Sequence, residues 1–136
     1  MNRNKKQHII IVGCGRLGSN LAGQLSESGE SVIIVDEDKN SFRKLPPSFG
    51  GINIIGDVTY SETLENAGID KAKALVAVTN IDNINVMVSQ IAKVIYSVDR
   101  VVSRIYDPAL GCILEDLEID TICPTSLAIK EIGLLI

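Results

Sequence analysis

Several residue types that mark common functional classes are scarce or missing in this sequence. It has no tryptophan, one histidine and three widely spaced cysteines among 136 residues. The odd number of cysteines and their wide spacing predict reduced thiols rather than a disulfide framework or a zinc site. No apolar stretch approaches the ~18 residues that a membrane-spanning helix needs, so no such helix is predicted.

Positive charge is also in short supply. Lysine and arginine number 13 against 17 acidic residues, and the formal net charge is −4. Because binding to a phosphate backbone needs an excess of clustered cations, we expect no nucleic acid partner. The basic cluster of Arg3, Lys5 and Lys6 is interpreted as a solvated tail. Only a short apolar run, 9–12, follows this polar start, so we expect no signal peptide and a cytoplasmic location.

The sequence does contain a regular alternation of strand-like and helix-like segments. Short apolar runs predict strands at 9–12, 32–35, 53–55, 74–78, 101–105 and 121–123. Helix-like segments lie at 17–28, 40–44, 61–67, 82–96, 108–117 and 125–136. Apolar strands separated by helices are typical of a parallel sheet covered on both faces. We therefore predict one α/β domain over residues 1–136, a doubly wound, Rossmann-like parallel six-stranded sheet with its ligand crevice at the carboxyl ends of the strands.

Two of the predicted helices carry distinctive apolar patterns. Segment 82–96 has an apolar stripe at spacings of three and four, which predicts the face that lies on the sheet. The stripe consists of Ile84, Met87, Val88, Ile91 and Ile95. Segment 125–136 is apolar on nearly every side and therefore needs a partner. It either closes the edge of the sheet, forms a dimer contact or leads into a further domain.

A glycine-rich loop follows the first predicted strand. Its pattern is set by Gly13, Gly15 and Gly18, and the intervening residues are Cys14, Arg16 and Leu17. In dinucleotide-binding folds the first glycine permits a tight turn, the second lets backbone approach a phosphate and the third lets the helix pack on the strand. The phosphates would lie at the N-terminus of the following helix, where free N–H groups favour anions. Arg16 would either reach a phosphate, in its own subunit or a neighbouring one, or face solvent.

An acidic residue ends the second predicted strand. Asp36 stands 18 residues after Gly18, where a carboxylate can accept hydrogen bonds from both hydroxyls of a ribose. The same carboxylate would repel a 2′-phosphate, and Glu37 follows it, so NAD or a plain adenine nucleotide is expected in preference to NADP. The alternative interpretation of Asp36 is a structural residue in a turn.

Polar residues also follow the third and fourth predicted strands. Gly56, Asp57 and Val58 lie where such folds meet an adenine ring, and Asp57 would accept a hydrogen bond from its amino group or else stabilise a turn. Thr79 and Asn80 close the fourth strand. They would meet ribose or phosphate oxygens, or cap the next helix.

Residues that could perform a reaction are few. His8 lies at the end of the first strand opposite the crevice, so it is poorly placed as an acid or base. Cys14 fits the loop better as a small side chain than as a nucleophile. Arg104 and Asp107 flank the end of the fifth strand, where either an ion pair or a ligand contact would explain them. The sequence therefore predicts binding rather than catalysis.

The sequence resembles the N-terminal nucleotide-binding (TrkA-N) domain of Trk/Ktr potassium uptake regulators and RCK potassium-channel domains. The likeness rests on the loop 13–18, Asp36, Gly56 and Asp57, Leu64 with 67–69, 74–79 with Asp82 and Asn85, and 104–107. It implies that NAD(H), ATP, ADP or AMP binds in the predicted crevice, with Arg104 among the residues close to it. The sequence alone does not distinguish these ligands, because all of them share the adenosine ribose that Asp36 would hold.

The same resemblance implies an assembly. Members of the family form dimers that build a cytoplasmic ring, and the ring gates a membrane potassium channel or transporter from the inner face of the membrane. They usually continue into a C-terminal regulatory domain, so a complete ring would need such a domain from a longer chain or from another polypeptide. Segment 125–136 agrees with a helix that crosses between subunits. On this basis we expect a regulatory subunit or domain in potassium transport, not an enzyme.

Two other functions remain open at this point. The chain could be the cofactor-binding subunit or fragment of an NAD-dependent oxidoreductase, with hydride transfer carried out on residues of a partner. It could also be a module with an empty crevice whose last helix serves assembly alone.

Overall fold

The fold is built around a six-stranded parallel sheet, seen in a computed structural model that describes residues 7–136. The strands are β1 (His8–Val12), β2 (Ser31–Asp36), β3 (Ile52–Ile55), β4 (Ala72–Ala77), β5 (Arg100–Arg104) and β6 (Asp120–Ile122). Their order across the sheet is β3-β2-β1-β4-β5-β6, and every neighbouring pair is parallel. The predicted doubly wound fold is confirmed. The basic cluster at Arg3, Lys5 and Lys6, and the first six positions of the predicted domain, lie outside the described residues.

Helical segments connect the strands. The α-helices are α1 (Arg16–Glu27), α2 (Ser61–Asn66), α3 (Asp82–Gln90), α4 (Pro108–Glu115) and α5 (Pro124–Leu135). Short 3₁₀ helices occupy Lys39–Lys44 and Ile69–Lys71. Each predicted helix is present within a few residues, although the second is a 3₁₀ helix. Among residues 7–136, no helix is both long and apolar enough to cross a membrane.

The core lies on both faces of the sheet, because successive residues of a strand point to opposite faces. On one face, buried strand residues meet α3 and α4 in a cluster that includes Ile10, Val12, Leu75, Val88 and Leu114. On the other face, α1 helps to cover a second cluster that includes Ile9, Ile11, Ile34 and Ala22. Burial on both faces explains why the strands read as nearly continuous apolar runs.

The predicted apolar stripe of the fourth helical segment is only partly correct. Val88 is fully buried, and Ile84, Met87 and Ile91 pack against the core. Ile95, however, is 68% exposed, because α3 passes into a π-helix at Ile91–Ile95. The wider turn of a π-helix rotates later residues away from the face that the α-helical period predicts.

The last helix leaves its apolar side chains in solvent. No residue of α5 is buried, and Leu134 is 75% exposed. The interpretation of this segment as a helix that closes the sheet edge is therefore wrong. A contact with a second chain and a continuation into a further domain both remain compatible with this exposure.

Candidate functional site

The carboxyl ends of the central strands enclose an open cleft of about 250 Å³. It lies at the point where the strand order reverses between β1 and β4, which is where doubly wound sheets bind ligands. The predicted site residues that line it are Gly13, Gly15, Asp36, Glu37, Gly56, Asp57, Val58, Thr79 and Asn80. Folding thus brings residues of four strand ends into one site, as the topology predicts.

Two glycines are required by the geometry of the turn after β1. Gly13 has a φ of +108°, and a Cβ atom there would lie 2.9 Å from the backbone nitrogen of Thr79 at the end of β4. A Cβ atom at Gly18 would collide with the carbonyl oxygen of Gly13. These residues permit the tight turn and the close packing of α1 that the glycine pattern predicts.

Gly15 has no such structural requirement. Its φ of −84° is open to any residue, and an added Cβ would meet nothing within 4 Å. It lines the cleft and is the N-cap of α1, with no side-chain hydrogen bond to the amides of the first turn. Those amides lack partners within the helix and point toward its N-terminal end. Gly15 and the free amides of the first turn of α1 thus form an open part of the cleft, which we call the Gly15 cradle.

The Asp36 carboxylate is fixed against this loop. Its Oδ2 accepts a hydrogen bond from the backbone N–H of Cys14 at 2.8 Å, and its Oδ1 accepts one from the N–H of Asp38 at 2.8 Å. A carboxylate oxygen can accept two hydrogen bonds, so each retains capacity for another donor. The half-buried group is held in place and can still accept from two adjacent hydroxyls. It has a role in the turn and also lines the cleft, so the two sequence-based interpretations are compatible.

Asp57 is a second carboxylate in the cleft. Its Oδ1 accepts hydrogen bonds from the hydroxyl of Thr59 at 2.7 Å and from the Thr59 backbone N–H at 2.9 Å. These bonds, the hydroxyl first, lower the pKa of the Asp57 carboxyl below its ordinary value. The turn predicted for Asp57 is present, and the ionised carboxylate also faces the cleft at neutral pH.

Thr79 and Asn80 line the cleft from the end of β4. Neither is the cap of α3, whose N-cap residue is Ile81 with no side-chain capping bond, so the capping interpretation is wrong. The hydroxyl of Thr79 lies 2.7 Å from Oδ1 of the buried Asn85, to which it donates.

Some predicted residues lie outside the cleft lining. Arg16 and Leu17 are exposed on the first turn of α1. Cys14 is fully buried, and burial, followed by the negative charge of Asp36, raises the pKa of its thiol to about 11. This environment suits a small packed side chain, as expected, and disfavours a nucleophile. His8 donates from Nε2 to the carbonyl oxygen of Ala67 at 2.9 Å, at the amino end of β1 and away from the cleft.

The Arg104–Asp107 ion pair is not formed. Asp107 instead caps α4, accepting a hydrogen bond from the N–H of Ala109 at 3.0 Å. Arg104 is buried and donates to main-chain carbonyls at the end of β4, and it does not line the cleft. The guanidinium donates to these buried carbonyl groups and not to Asp107. The sequence alone does not reveal this choice of partner.

Ser41 and Lys44 line the cleft although sequence reasoning missed them. Both belong to the 3₁₀ helix after β2, in which residues three apart share a face. Their spacing of three residues, in a helix that begins shortly after Asp36, could have predicted that both side chains lie near the cleft. Apolar residues of the strand ends and of α3 complete the lining, namely Val12, Val35, Val78, Ile81 and Ile84. Within residues 7–136, no group of three or more His, Cys, Asp or Glu side chains could hold a metal ion.

The strand order, the glycine turn and the acidic end of β2 define a Rossmann-like domain. Residues 9–125 match the TrkA-N domain family. The chain is 42% identical over 115 residues to the Trk system potassium uptake protein TrkA of Streptomyces coelicolor, covering 85% of this chain and 52% of that protein. It is 33% identical over 111 residues to a TrkA homolog of Pyrococcus horikoshii, covering 82% and 49%. The chain belongs to the TrkA-N domain family, and it spans about half the length of these curated relatives.

Solved structures agree with this assignment. The TrkA-N domain of the inner membrane protein ybaL from Escherichia coli matches with a TM-score of 0.83 at 17% identity, covering 96% of each chain, which shows the fold. The GsuK channel bound to NAD matches with a TM-score of 0.71 at 26% identity, covering 86% of this chain and 20% of that chain. GsuK bound to ADP matches with a TM-score of 0.80 at 25% identity, covering 98% and 34%. The predicted resemblance is confirmed.

Proposed function

We propose that this chain is a nucleotide-sensing, non-catalytic regulatory domain of a potassium uptake system. Its relatives in Streptomyces coelicolor and Pyrococcus horikoshii are Trk potassium uptake proteins, and related GsuK structures hold NAD or ADP. The alternative, the cofactor-binding subunit or fragment of an oxidoreductase, would need the catalytic residues of a partner, and no observation on the described residues favours it.

The observation that carries the proposal is the cradle at Gly15. Neither strain nor packing explains glycine there, and the position is open and directly precedes the free amides of α1. A nucleotide phosphate would fill it, because backbone N–H groups and the helix dipole favour an anion at a helix N-terminus. With phosphate at Gly15, the ribose hydroxyls would donate to Asp36 and the adenine would lie close to Asp57.

The proposed ligands are NAD(H), AMP, ADP and ATP. All of them carry the ribose diol that matches the remaining acceptor capacity of Asp36. NADP would place a 2′-phosphate against Asp36 and Glu37, two carboxylates that line this part of the cleft. Lys44 lines the same cleft and offsets this repulsion only in part. We therefore expect NADP to bind more weakly than NAD.

The proposed partners are a second copy of the chain and a membrane potassium channel or transporter subunit. The exposed apolar surface of α5 supports a contact with another chain, in a homodimer or a larger ring at the inner face of the membrane. A C-terminal regulatory domain would complete the assembly. Nucleotide binding then regulates transport only if the ligand has different affinities for two geometries of the dimer.

Calorimetry with NAD, NADH, AMP, ADP and ATP tests the proposal. We expect Asp36→Ala to weaken binding of each ligand at least about tenfold, since a hydrogen bond to a charged group contributes about 1.5–3 kcal/mol. Asp36→Asn retains one carbonyl acceptor for the loop amides and should lose affinity while keeping the fold. Asp99→Ala removes the same charge at the opposite end of the sheet and should bind like the unmodified chain.

Two results would contradict the proposal. One is the absence of binding of all five ligands at millimolar concentration. The other is unchanged affinity in a folded Asp36→Ala variant. Steady oxidation of NADH in the presence of a candidate substrate would instead favour the oxidoreductase alternative.

A further inference from the structure

Arg104 reaches from the end of β5 to the end of β4 inside the protein. Its side chain is only 9% exposed. Its Nη2 donates to the carbonyl oxygens of Val78 and Thr79, each at 2.8 Å, and to Oδ1 of Asn80 at 3.3 Å. A single terminal nitrogen thus contacts three successive residues of the loop between β4 and α3.

These three residues form one wall of the cleft, whereas Arg104 itself does not line it. Hydrogen bonds from a charged donor are stronger than neutral ones, and a buried carbonyl without a donor is unfavourable. Arg104 therefore fixes the position of a wall that the ligand would meet.

Asn85 of α3 also forms hydrogen bonds with the loop between β4 and α3. Its Oδ1 accepts from the N–H of Thr79 at 2.9 Å and from the Thr79 hydroxyl at 2.7 Å. Its Nδ2 donates to the carbonyl oxygens of Thr79 at 3.0 Å and of Arg104 at 2.9 Å. Because Asn85 is fully buried and bonds to both partners, Thr79 is held between α3 and β5.

Hydrogen bonds from the loop after β5 to Asp82 connect that loop to the start of α3. Asp82, the first residue of α3, accepts hydrogen bonds from the N–H groups of Tyr106 and Asp107. The guanidinium of Arg104 lies 5.4 Å from the centroid of the Tyr106 ring, within range of a cation–π contact. The loops after β4 and β5 are therefore linked to each other and to Arg104.

We infer that Arg104 is a positioning residue of the nucleotide cleft, which sets ligand affinity by holding residues 78–80 in place without touching the ligand. This inference rests on the proposed nucleotide-binding function. It differs from direct phosphate recognition, in which the effect of Arg104 would grow with the charge of the ligand.

The test compares ligands of increasing phosphate charge on one set of variants. Adenosine, AMP, ADP and ATP are titrated by calorimetry into the unmodified chain, Arg104→Met, Arg104→Lys and the control Arg100→Met. Arg100 lies at the other end of β5 and is exposed. Thermal unfolding without ligand identifies the temperature range in which each variant is folded.

We expect Arg104→Met to weaken all four ligands by a similar factor, about tenfold, which corresponds to about 1.4 kcal/mol. Arg104→Lys keeps the positive charge but lacks the planar guanidinium. It should lose less affinity than Arg104→Met, by the same factor for each of the four ligands. Hydrogen exchange of the Thr79 and Ile81 amides should be faster in Arg104→Met without ligand, while the amides of β1 stay protected. Arg100→Met should change none of these quantities.

Unchanged affinity in folded Arg104→Met would overturn the inference, as would a loss that rises from adenosine to ATP. If Arg104→Met does not fold, Arg104→Lys decides by the same comparison: an equal loss supports positioning, and no loss or a graded loss overturns it. Failure of the unmodified chain to bind any of the ligands would instead refute the proposed function itself.

Discussion

At the scale of single residues, a substitution at Gly15 should change nucleotide affinity without disturbing the fold. We predict that Gly15→Ala leaves the fold intact, because its Cβ would meet nothing and its φ is already negative. The lost flexibility of the unfolded chain stabilises the variant by about 0.4–1 kcal/mol, and alanine's poorer N-capping offsets this gain. Nucleotide affinity should fall at least about tenfold, because the methyl group occupies the phosphate cradle.

Calorimetry and chemical denaturation check this prediction together. Gly133→Ala is the matched control, because its Cβ also meets nothing and it lies on α5, away from the cleft. It should leave affinity unchanged. Full affinity in Gly15→Ala would show that no phosphate approaches this loop.

The three cysteines should differ in reactivity. Burial raises the pKa of Cys14 to about 11, so it stays a protonated thiol at mildly alkaline pH. Hydrogen bonding from Ser126, chiefly its hydroxyl at 3.3 Å, lowers the pKa of Cys123. Since the thiolate is the reactive form, we predict that iodoacetamide labels Cys123 first and leaves Cys14 unlabelled.

Mass spectrometry of the labelled peptides measures this order. Ser126→Ala should slow the labelling of Cys123 and leave the rate at the exposed Cys112 unchanged. Early labelling of Cys14 in the folded chain would contradict the burial described here.

At the scale of secondary-structure elements, α5 gives the clearest prediction. None of its residues is buried, so substitutions there should not disturb the fold. If α5 forms the proposed contact between chains, Leu134→Asp should lower the dimer fraction by placing a charge in an apolar interface. Light scattering over a range of concentrations measures it. Lys130→Gln, on the same helix, makes the net charge more negative by the same one unit and is the control for the change in charge. A monomeric unmodified chain at every concentration would contradict the contact.

The strands were predictable from the sequence because parallel strands covered on both faces must be apolar throughout. β1 illustrates this, since Ile9 and Ile11 are buried on one face and Ile10 and Val12 on the other. The end of α3 was not predictable in the same way. A π turn at Ile91–Ile95 leaves the apolar pattern unchanged while it moves Ile95 into solvent.

The site was predictable only where the topology fixes it. Gly13, Asp36 and Thr79 lie at or just after the carboxyl ends of neighbouring strands, so the topology brings them to the same edge of the sheet. Lys44 lines the cleft because the 3₁₀ helix after β2 places it there. Arg104 does not line the cleft, because its guanidinium donates to buried carbonyl groups. Both outcomes depend on the detailed path of a loop, which spacing along the chain does not encode.

At the scale of the whole molecule, the four loops that follow β1 to β4 surround one cleft, at the point where the strand order of the sheet reverses. The cleft provides main-chain donors at α1, fixed carboxylates after β2 and β3, and a braced wall after β4. The chain spans about half the length of its TrkA relatives. The proposed contribution of this domain is a nucleotide-binding site whose occupancy a larger assembly would sense.

A crystal structure of the chain with ADP would show where the nucleotide binds and which residues hold its phosphates and ribose. We predict that the phosphates lie over Gly15 at the N-terminus of α1 and that both ribose hydroxyls donate to the carboxylate of Asp36. Adenine should lie near Asp57, and the wall at 78–80 should border the nucleotide. ADP bound at another surface, or in the cleft with its ribose turned away from Asp36, would contradict this binding mode.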